Sequence, residues 1–285
     1  MSDTRPEVLR EIAERVATDA AAFVKRRRAE LVGGGPQPIG SAAVAAKSTR
    51  TDPVTVVDTE TERFIRDRLI RLRPGDSILG EEGGGRADSD DGVCWVVDPI
   101  DGTVNFVYGI PAYAVSIGAQ IGGIAVAGAV VDVVSGELYS ASVGAGAHMT
   151  SAGNRREIRC SDVDELSMAL LGTGFGYAPR RRTEQSRLLA KMLPLVRDVR
   201  RIGSASLDLC LVAAGRLDAH YEHGLQVWDW AAGAVIAAEA GAVVRLPQSV
   251  GSTGGAGLTL VSAPGIADEL IATLDGFDGL APLAT

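Results

Sequence analysis

Asp98 and Asp101 stand three residues apart behind an apolar run, in the string Trp95-Val96-Val97-Asp98-Pro99-Ile100-Asp101-Gly102-Thr103-Val104-Asn105-Phe106. Cys94 to Val97 reads as a buried strand. Pro99 fixes its own φ and disfavours the α region at Asp98, so the strand is expected to stop there and swing into a turn. Gly102 and Thr103 follow with free backbone amides. A helix beginning there aims those amides, and its positive dipole end, at an anion. Two carboxylates beside an anion cradle call for a cation between them, and a hard divalent ion with oxygen ligands, Mg2+ foremost, bridges carboxylates to a phosphate. The plainer reading is an Asp-rich turn whose carboxylates only cap the chain.

Two further acidic segments carry the same ambiguity. Gly80-Glu81-Glu82 ends a short predicted strand, Ser77 to Leu79, where a glutamate pair before glycines is ordinarily a solvated loop. Trp228-Asp229-x-Ala231-Ala232-Gly233 opens an Ala-rich helix, where a carboxylate in the first turn is favoured by the helix dipole without any metal. Taken together and in this order, the three segments resemble the signatures of the inositol monophosphatase family of Mg2+-dependent, lithium-sensitive phosphatases. The resemblance runs from about Lys47 to the last helix and is closest to bacterial members of the actinobacterial type.

The resemblance implies an α+β fold, the αβαβα layered sandwich of the inositol monophosphatase and fructose-1,6-bisphosphatase type. It implies two to three Mg2+ ions per site: one on Glu81, Asp98 and the backbone carbonyl of Ile100, a second on Asp98, Asp101 and Asp229, and a weaker third near Glu81. Glu81 and Thr103 then flank the attacking water, and the phosphate rests on the amides of Gly102 and Thr103. Asp101, Ala205, Glu222 and Asp229 match the substrate-contacting positions. Lys47 lies eleven residues before Asp58, the separation found in the family, on a loop that helps assemble the metal site. Asp58 falls at the start of a helix, where capping and a positioning role behind the metal are compatible. The implied reaction is hydrolysis of inositol 1-phosphate. Histidinol phosphate, fructose 1,6-bisphosphate and a 3′-phosphoadenosine nucleotide are alternative substrates within the same fold. A regulatory partnership with the transcription machinery is an alternative of another class, and a homodimer is the expected assembly.

The chain has 285 residues, 46% hydrophobic and 22% charged, an ordinary globular composition with ample material for a core. A formal charge of −8 argues against nucleic acid as the main ligand. It also means that positive charge for a phosphorylated substrate must be supplied locally. Cys94, Cys160 and Cys210 show neither disulfide nor zinc spacing, and the charged N-terminus lacks the apolar core of a signal peptide, so a reducing cytoplasm is expected. The uncharged stretch from Gly102 to Val131 is long enough to span a bilayer, but Pro111, Gln120 and Gly122-Gly123 divide it into two buried strands joined by a turn, and no membrane span is expected.

The chain reads as one unit, 1–285, in which an N-terminal α+β half, residues 1–155, carries most metal ligands and a C-terminal α/β half spans residues 156–285. Helical spacing covers 6–31, whose basic run Lys25 to Arg28 reads as a solvated helix end. A linker is expected over 33–46 and a mobile polar segment over 47–53. A second helix follows Asp58 with Phe64, Ile65, Leu69 and Leu72 inward. Strands are expected at 113–120, 124–131, 137–142, 158–160, 217–221, 242–246 and 258–262, a loop at 144–153, and helices at 184–199, from Ala205 to Gly215, 228–240 and 265–274. Arg180 to Arg182, before the 184–199 helix, reads as a solvated cluster. With Arg200 and Arg201 it forms the patch that a transcription partner would need.

Overall fold

Each helix begins and ends where side chains or special backbone angles dictate. In this computed structural model, which describes residues 3–33, 37–40, 43–47, 53–85, 92–247 and 256–283, α1 (Pro6–Val32) starts with proline at its first position. It stops at Gly33, whose φ of 69° turns the chain out of the helix. Leu9, Ala13, Val16, Ala20 and Val24 recur at three- and four-residue intervals and are fully buried. After the short β1 (Val44–Ala46) and β2 (Pro53–Thr55) comes α2 (Val56–Leu72), closed by a capping box in which Thr55 and Asp58 each accept from the other's backbone amide. The linker and the mobile segment expected over 33–53 fall partly outside the described residues, at 34–36, 41–42 and 48–52.

One sheet takes β3 (Ser77–Gly80), β4 (Val93–Asp101), β5 (Ala114–Ile121), β6 (Ile124–Asp132), β7 (Leu138–Ser142), β8 (Ala147–Ser151) and β9 (Asn154–Ile158) in sequence order; α3 (Thr103–Tyr108) lies between β4 and β5. Its first pair is parallel and the rest antiparallel. A second sheet, ordered β11-β10-β12-β14-β13, is built from β10 (Leu170–Thr173), β11 (Asp198–Arg200), β12 (Ala219–His223), β13 (Val243–Arg245) and β14 (Leu258–Ser262). The remaining helices are α4 (Pro179–Met192), α5 (Ala205–Ala213), α6 (Val227–Glu239) and α7 (Pro264–Asp275).

α1 and α2 cover one face of the first sheet, burying Trp95, Val97, Val115 and Ile117. On its other face α5 and α6 are sandwiched against the second sheet. α4 and α7 close the far side of that sheet over Leu171, Tyr221 and Leu260. The layers run α, β, α, β, α, so the α+β sandwich expected from the signatures is the observed architecture. The close approach of α6 depends on missing side chains: a Cβ on Gly128 would lie 2.7 Å from Ala232 Cα, and one on Gly118 3.0 Å from Ala231 Cβ.

Several local expectations are corrected. The segment 144–153 is not a loop but contributes β8, paired with β9, and the strand expected at 158–160 ends at Ile158. The helix expected at 184–199 starts at Pro179, so Arg180 to Arg182 form its first turn, and it ends at Met192 before a short 3-10 turn and β11. Leu72 is 38% exposed rather than inward. Arg28 leaves its solvated neighbours and turns inward, its guanidinium 5.8 Å from the Phe106 ring centre and donating to the Gln37 carbonyl at 2.7 Å. None of the helices of the described residues is long and apolar enough to cross a membrane, and 114–132 forms the β5–β6 hairpin.

Candidate active site

β3 and β4 run parallel, so their C-terminal ends open at the same edge of the sheet, and the Glu81 amide donates to the Val97 carbonyl at 3.2 Å. β4 does not stop at Asp98. It continues through Pro99 to Asp101, with Asp98 opposite Ser116 and Asp101 opposite Ala114. Three steps on β4 thus match two on β5, and this one-residue bulge brings Asp98 and Asp101, which strict alternation would send to opposite faces, onto the same side. The Ile100 amide donates to Asp98 Oδ1 at 3.0 Å and holds the turn. Asp98 is 2% exposed.

The other carboxylates are placed by helix ends. Asp229 sits in the first turn of α6, where its Oδ2 accepts from the Gln226 amide at 2.6 Å. Asp58 is buried in the first turn of α2. Its Oδ2 accepts from the Thr55 amide at 2.9 Å and its Oδ1 lies 3.1 Å from Thr103 Oγ1, which also lies 3.1 Å from the Ile100 carbonyl. Capping and a link to the Asp98–Thr103 turn therefore coexist at Asp58. Asp101 is held from the other half of the chain: its Oδ2 accepts from Ser204 Oγ at 2.6 Å, from the Ser206 amide at 2.7 Å and from Ser206 Oγ. Lys47 Nζ donates to Glu81 Oε1 at 2.7 Å and pairs with Glu82 as well.

Asp98, Asp101 and Asp229 each offer a carboxylate oxygen within 4.8 Å of the others'. They share a cavity of about 460 Å³ with Lys47, Glu81, Ile100, Gly102 and Thr103, and Ala205 and Glu222 line it too. The residues that the resemblance placed in the site, except the fully buried Asp58 behind Thr103, therefore border one space. Glu222 has room because residue 174 is glycine; a Cβ there would sit 1.9 Å from Glu222 Oε2. Burial pushes the whole acidic set towards its protonated form. Asp98 is raised well above the usual carboxylate range by desolvation and then by Glu81, Asp101 and Asp229, and Asp229 likewise by desolvation and then by Asp101 and Glu81. Desolvation also raises Asp101, lifts Glu81 to about 7 and Asp58 to about 6, and brings Glu222 to about 8.

Such a cluster is costly without a cation. Glu81 Oε2 is buried with no hydrogen-bond partner, and the all-oxygen donor set suits a hard divalent ion. The residues present fit a metal of that kind.

Several supporting residues were missed in the sequence. Ser204 and Ser206 grip Asp101 across more than a hundred positions, a contact that no local pattern encodes. Asn105 Nδ2 donates to the Ala112 and Ile202 carbonyls, at 2.7 and 2.9 Å, tying the Asp-rich segment to the same 202–206 loop. Glu62 accepts from the amides of Glu82 and Gly83, at 2.6 and 2.9 Å, and sets the turn that carries Glu81. Its position on the buried face of α2 is the one signal available beforehand, since a buried glutamate there needs a partner.

The sequence model of the Inositol monophosphatase family matches residues 5–276. The chain is 66% identical to an inositol-1-monophosphatase of Mycobacterium leprae over 99% of this chain and 98% of that protein. It is 42% identical, over 68% of this chain and 71% of that one, to the Nus factor SuhB of Vibrio cholerae. The solved structure of Mycobacterium tuberculosis SuhB superposes with a TM-score of 0.83 at 61% identity, covering 98% of this chain and 100% of that one. With its carboxylates gathered at the strand and helix ends of that same sandwich, the chain belongs to the inositol monophosphatase family and is a phosphoric monoester hydrolase.

Proposed function

We propose that the protein hydrolyses inositol 1-phosphate to inositol and phosphate with Mg2+ as cofactor, two to three ions per site. The observation that carries this reading is the convergence of Asp98, Asp101 and Asp229 within 4.8 Å, beside the orphaned Oε2 of Glu81. Glu81, Asp98 and the Ile100 carbonyl would hold one ion, Asp98 with Asp101 and Asp229 a second, and Glu81 a weaker third. When bound, the ions neutralise phosphate charge and make a water nucleophilic near neutral pH. The chain's own residues do the rest. The amides of Gly102 and Thr103 receive the phosphate oxygens. Thr103 Oγ1, 3.1 Å from both Asp58 Oδ1 and the Ile100 carbonyl, would orient the water; Glu81 would take a proton from it, and the inositol oxygen released from phosphorus would regain a proton from solvent. Glu222 accepts hydroxyls of the polyol, bounded by Ala205 and Asp229.

Phosphate release from inositol 1-phosphate, histidinol phosphate, fructose 1,6-bisphosphate and 3′-phosphoadenosine 5′-phosphate, each with and without Mg2+, tests the reading. Inositol 1-phosphate is expected to be the best of the monoesters, with turnover lost on chelation and inhibited by Li+. Preference for histidinol phosphate would overturn the polyol role of Glu222, and Mg2+-independent turnover would overturn the cofactor. A transcription role is suggested by the name of the Vibrio cholerae relative. Against it, Arg181 is withdrawn from the basic patch into the cavity wall, and Arg200 pairs with Asp198. A homodimer, the remaining expectation, is read from light scattering.

A further inference from the structure

Behind Glu222 lies a line of ionisable side chains that the carboxylate cluster does not use. His220 and Glu222 alternate along β12 with Tyr221, which packs on the far side of the sheet, so both project towards α5 and its Asp208. The imidazole is fully buried between the two acids. Its Nδ1 lies 3.7 Å from Asp208 Oδ2 and its Nε2 3.7 Å from Glu222 Oε2. Asp208 and Glu222 both border the cavity, and His220 sits behind them. Glycines make the room: Gly172 of β10 stands opposite His220, and a Cβ on it would lie 3.1 Å from Nδ1 and 3.3 Å from Asp208 Oδ1. Gly174, two residues on, does the same for Glu222.

Among the described residues neither ring nitrogen of His220 has a hydrogen-bond partner, and Asp208 Oδ1 has none. Leu217, beside the same Gly172 position, and Val261, paired with His220 on β14, offer only apolar side chains. Desolvation pushes Asp208 well above the usual carboxylate range, with Glu222 and Asp101 adding and Arg201 opposing, and it draws His220 down to about 3, so the imidazole is neutral. As three separate groups the trio is costly. As a chain it is satisfied, because a neutral imidazole has one acceptor and one donor: Nδ1 accepts from a protonated Asp208, and Nε2–H donates to an ionised Glu222. Each link asks for a side-chain rotation that closes about half an ångström. The proton belongs on Asp208, whose side chain is 2% exposed against 11% for Glu222.

We infer that Asp208 and His220 are positioning residues for substrate recognition, a hydrogen-bonded chain that fixes one oxygen of Glu222 and leaves the other turned into the cavity to accept polyol hydroxyls. The inference rests on the polyol reading of Glu222.

Steady-state kinetics with Mg2+ compare inositol 1-phosphate with p-nitrophenyl phosphate, an ester without polyol hydroxyls, in the parent, Glu222→Ala, His220→Phe and the double variant. Glu222→Ala should cut the ratio of the two kcat/KM values about tenfold or more. His220→Phe should cut it about as far, through KM for inositol 1-phosphate rather than kcat, and should cost nothing further once Glu222 is alanine. A ratio unmoved by Glu222→Ala sinks the polyol reading and the chain with it. A full Glu222→Ala effect with His220→Phe silent, or with the two losses multiplying in the double variant, overturns the chain alone. Asp208→Asn, whose amide still donates to Nδ1, should keep the ratio that Asp208→Leu loses; equal loss in both also overturns it. If His220→Phe fails to fold by circular dichroism, the tautomer of His220 in the parent decides. Nitrogen NMR of histidine-labelled protein at pH 7, with three histidines to assign, should show a neutral ring protonated at Nε2. A proton on Nδ1, or an imidazolium, overturns the chain.

Discussion

Asp98 carries more of the site than any other side chain, because it is buried among the charges of Glu81, Asp101 and Asp229, all of which act on it. Asp98→Asn keeps the volume and an acceptor for the Ile100 amide but removes the negative charge. It is expected to abolish Mg2+-dependent turnover while circular dichroism and the melting profile stay close to the parent's; retained activity would end its bridging role. Ser206→Ala tests the supporting layer. It deletes one of the hydroxyls on Asp101 Oδ2 and leaves the Ser206 amide and Ser204 in place. A charge-assisted hydrogen bond of about 1.5–3 kcal/mol is at stake, so kcat/KM should fall by about tenfold or more. Ser204→Ala should in addition lower stability by roughly 1 kcal/mol, since Ser204 Oγ also caps α5 through the Leu207 amide. The carboxylates themselves were legible in the sequence because each sits in a short string with its turn residues. Ser204, Ser206 and Arg181 were not. Nothing around a serine at a helix start says that its partner lies on a strand a hundred residues earlier, and a run of three arginines gives no sign that the middle one turns inward.

Elements deliver these side chains through their ends, so small changes in how an element seats should be felt at the site. α6 lies against Gly118 of β5 and Gly128 of β6 with no room for a methyl group. Gly128→Ala forces the helix away from the sheet and moves Asp229 with it. Overpacking of this kind costs about 1–3 kcal/mol, so the melting temperature should drop by several degrees and turnover should drop further than stability accounts for. A parent-like melting profile for the variant would show that the contact is softer than the structure implies. Helices with a long apolar stripe, such as α1, and the β5–β6 hairpin were readable from periodicity. β8 was hidden because glycines on both sides of Ala147–Ser151 outweighed its alternation, and β4 was cut short because a proline usually ends a strand; here the bulge lets the strand pass through Pro99.

For the molecule as a whole, the acidic cluster ties stability to pH and to cations. Glu81 at about 7, Asp58 at about 6 and the raised Asp98, Asp101 and Asp229 all bind protons more tightly folded than unfolded, where carboxylates titrate near 4. Between those values the native state holds the extra protons, so the stability of metal-free protein must fall as pH rises through 4 to 7 and beyond. The melting temperature of chelated protein is therefore expected to decline from pH 5 to pH 8, and saturating Mg2+ should reverse the decline. Mg2+ uptake at pH 7 should release protons, visible as buffer-dependent heats in calorimetry. A flat profile without metal would mean that water reaches the carboxylates more freely than this burial allows. The tie between Asp101 on β4 and the start of α5 bears on the chain as it is made. Asp98 and Asp101 are complete early in synthesis, but the hydroxyls that orient Asp101, and Asp229 itself, arrive only with residues 204–229. A ribosome that has released the first sheet has made Glu81, Asp98, Asp101 and Thr103 but not Asp229. A copy cut short before residue 204 is therefore expected to be inert, and phosphate release by such a fragment would overturn the dependence on the second half.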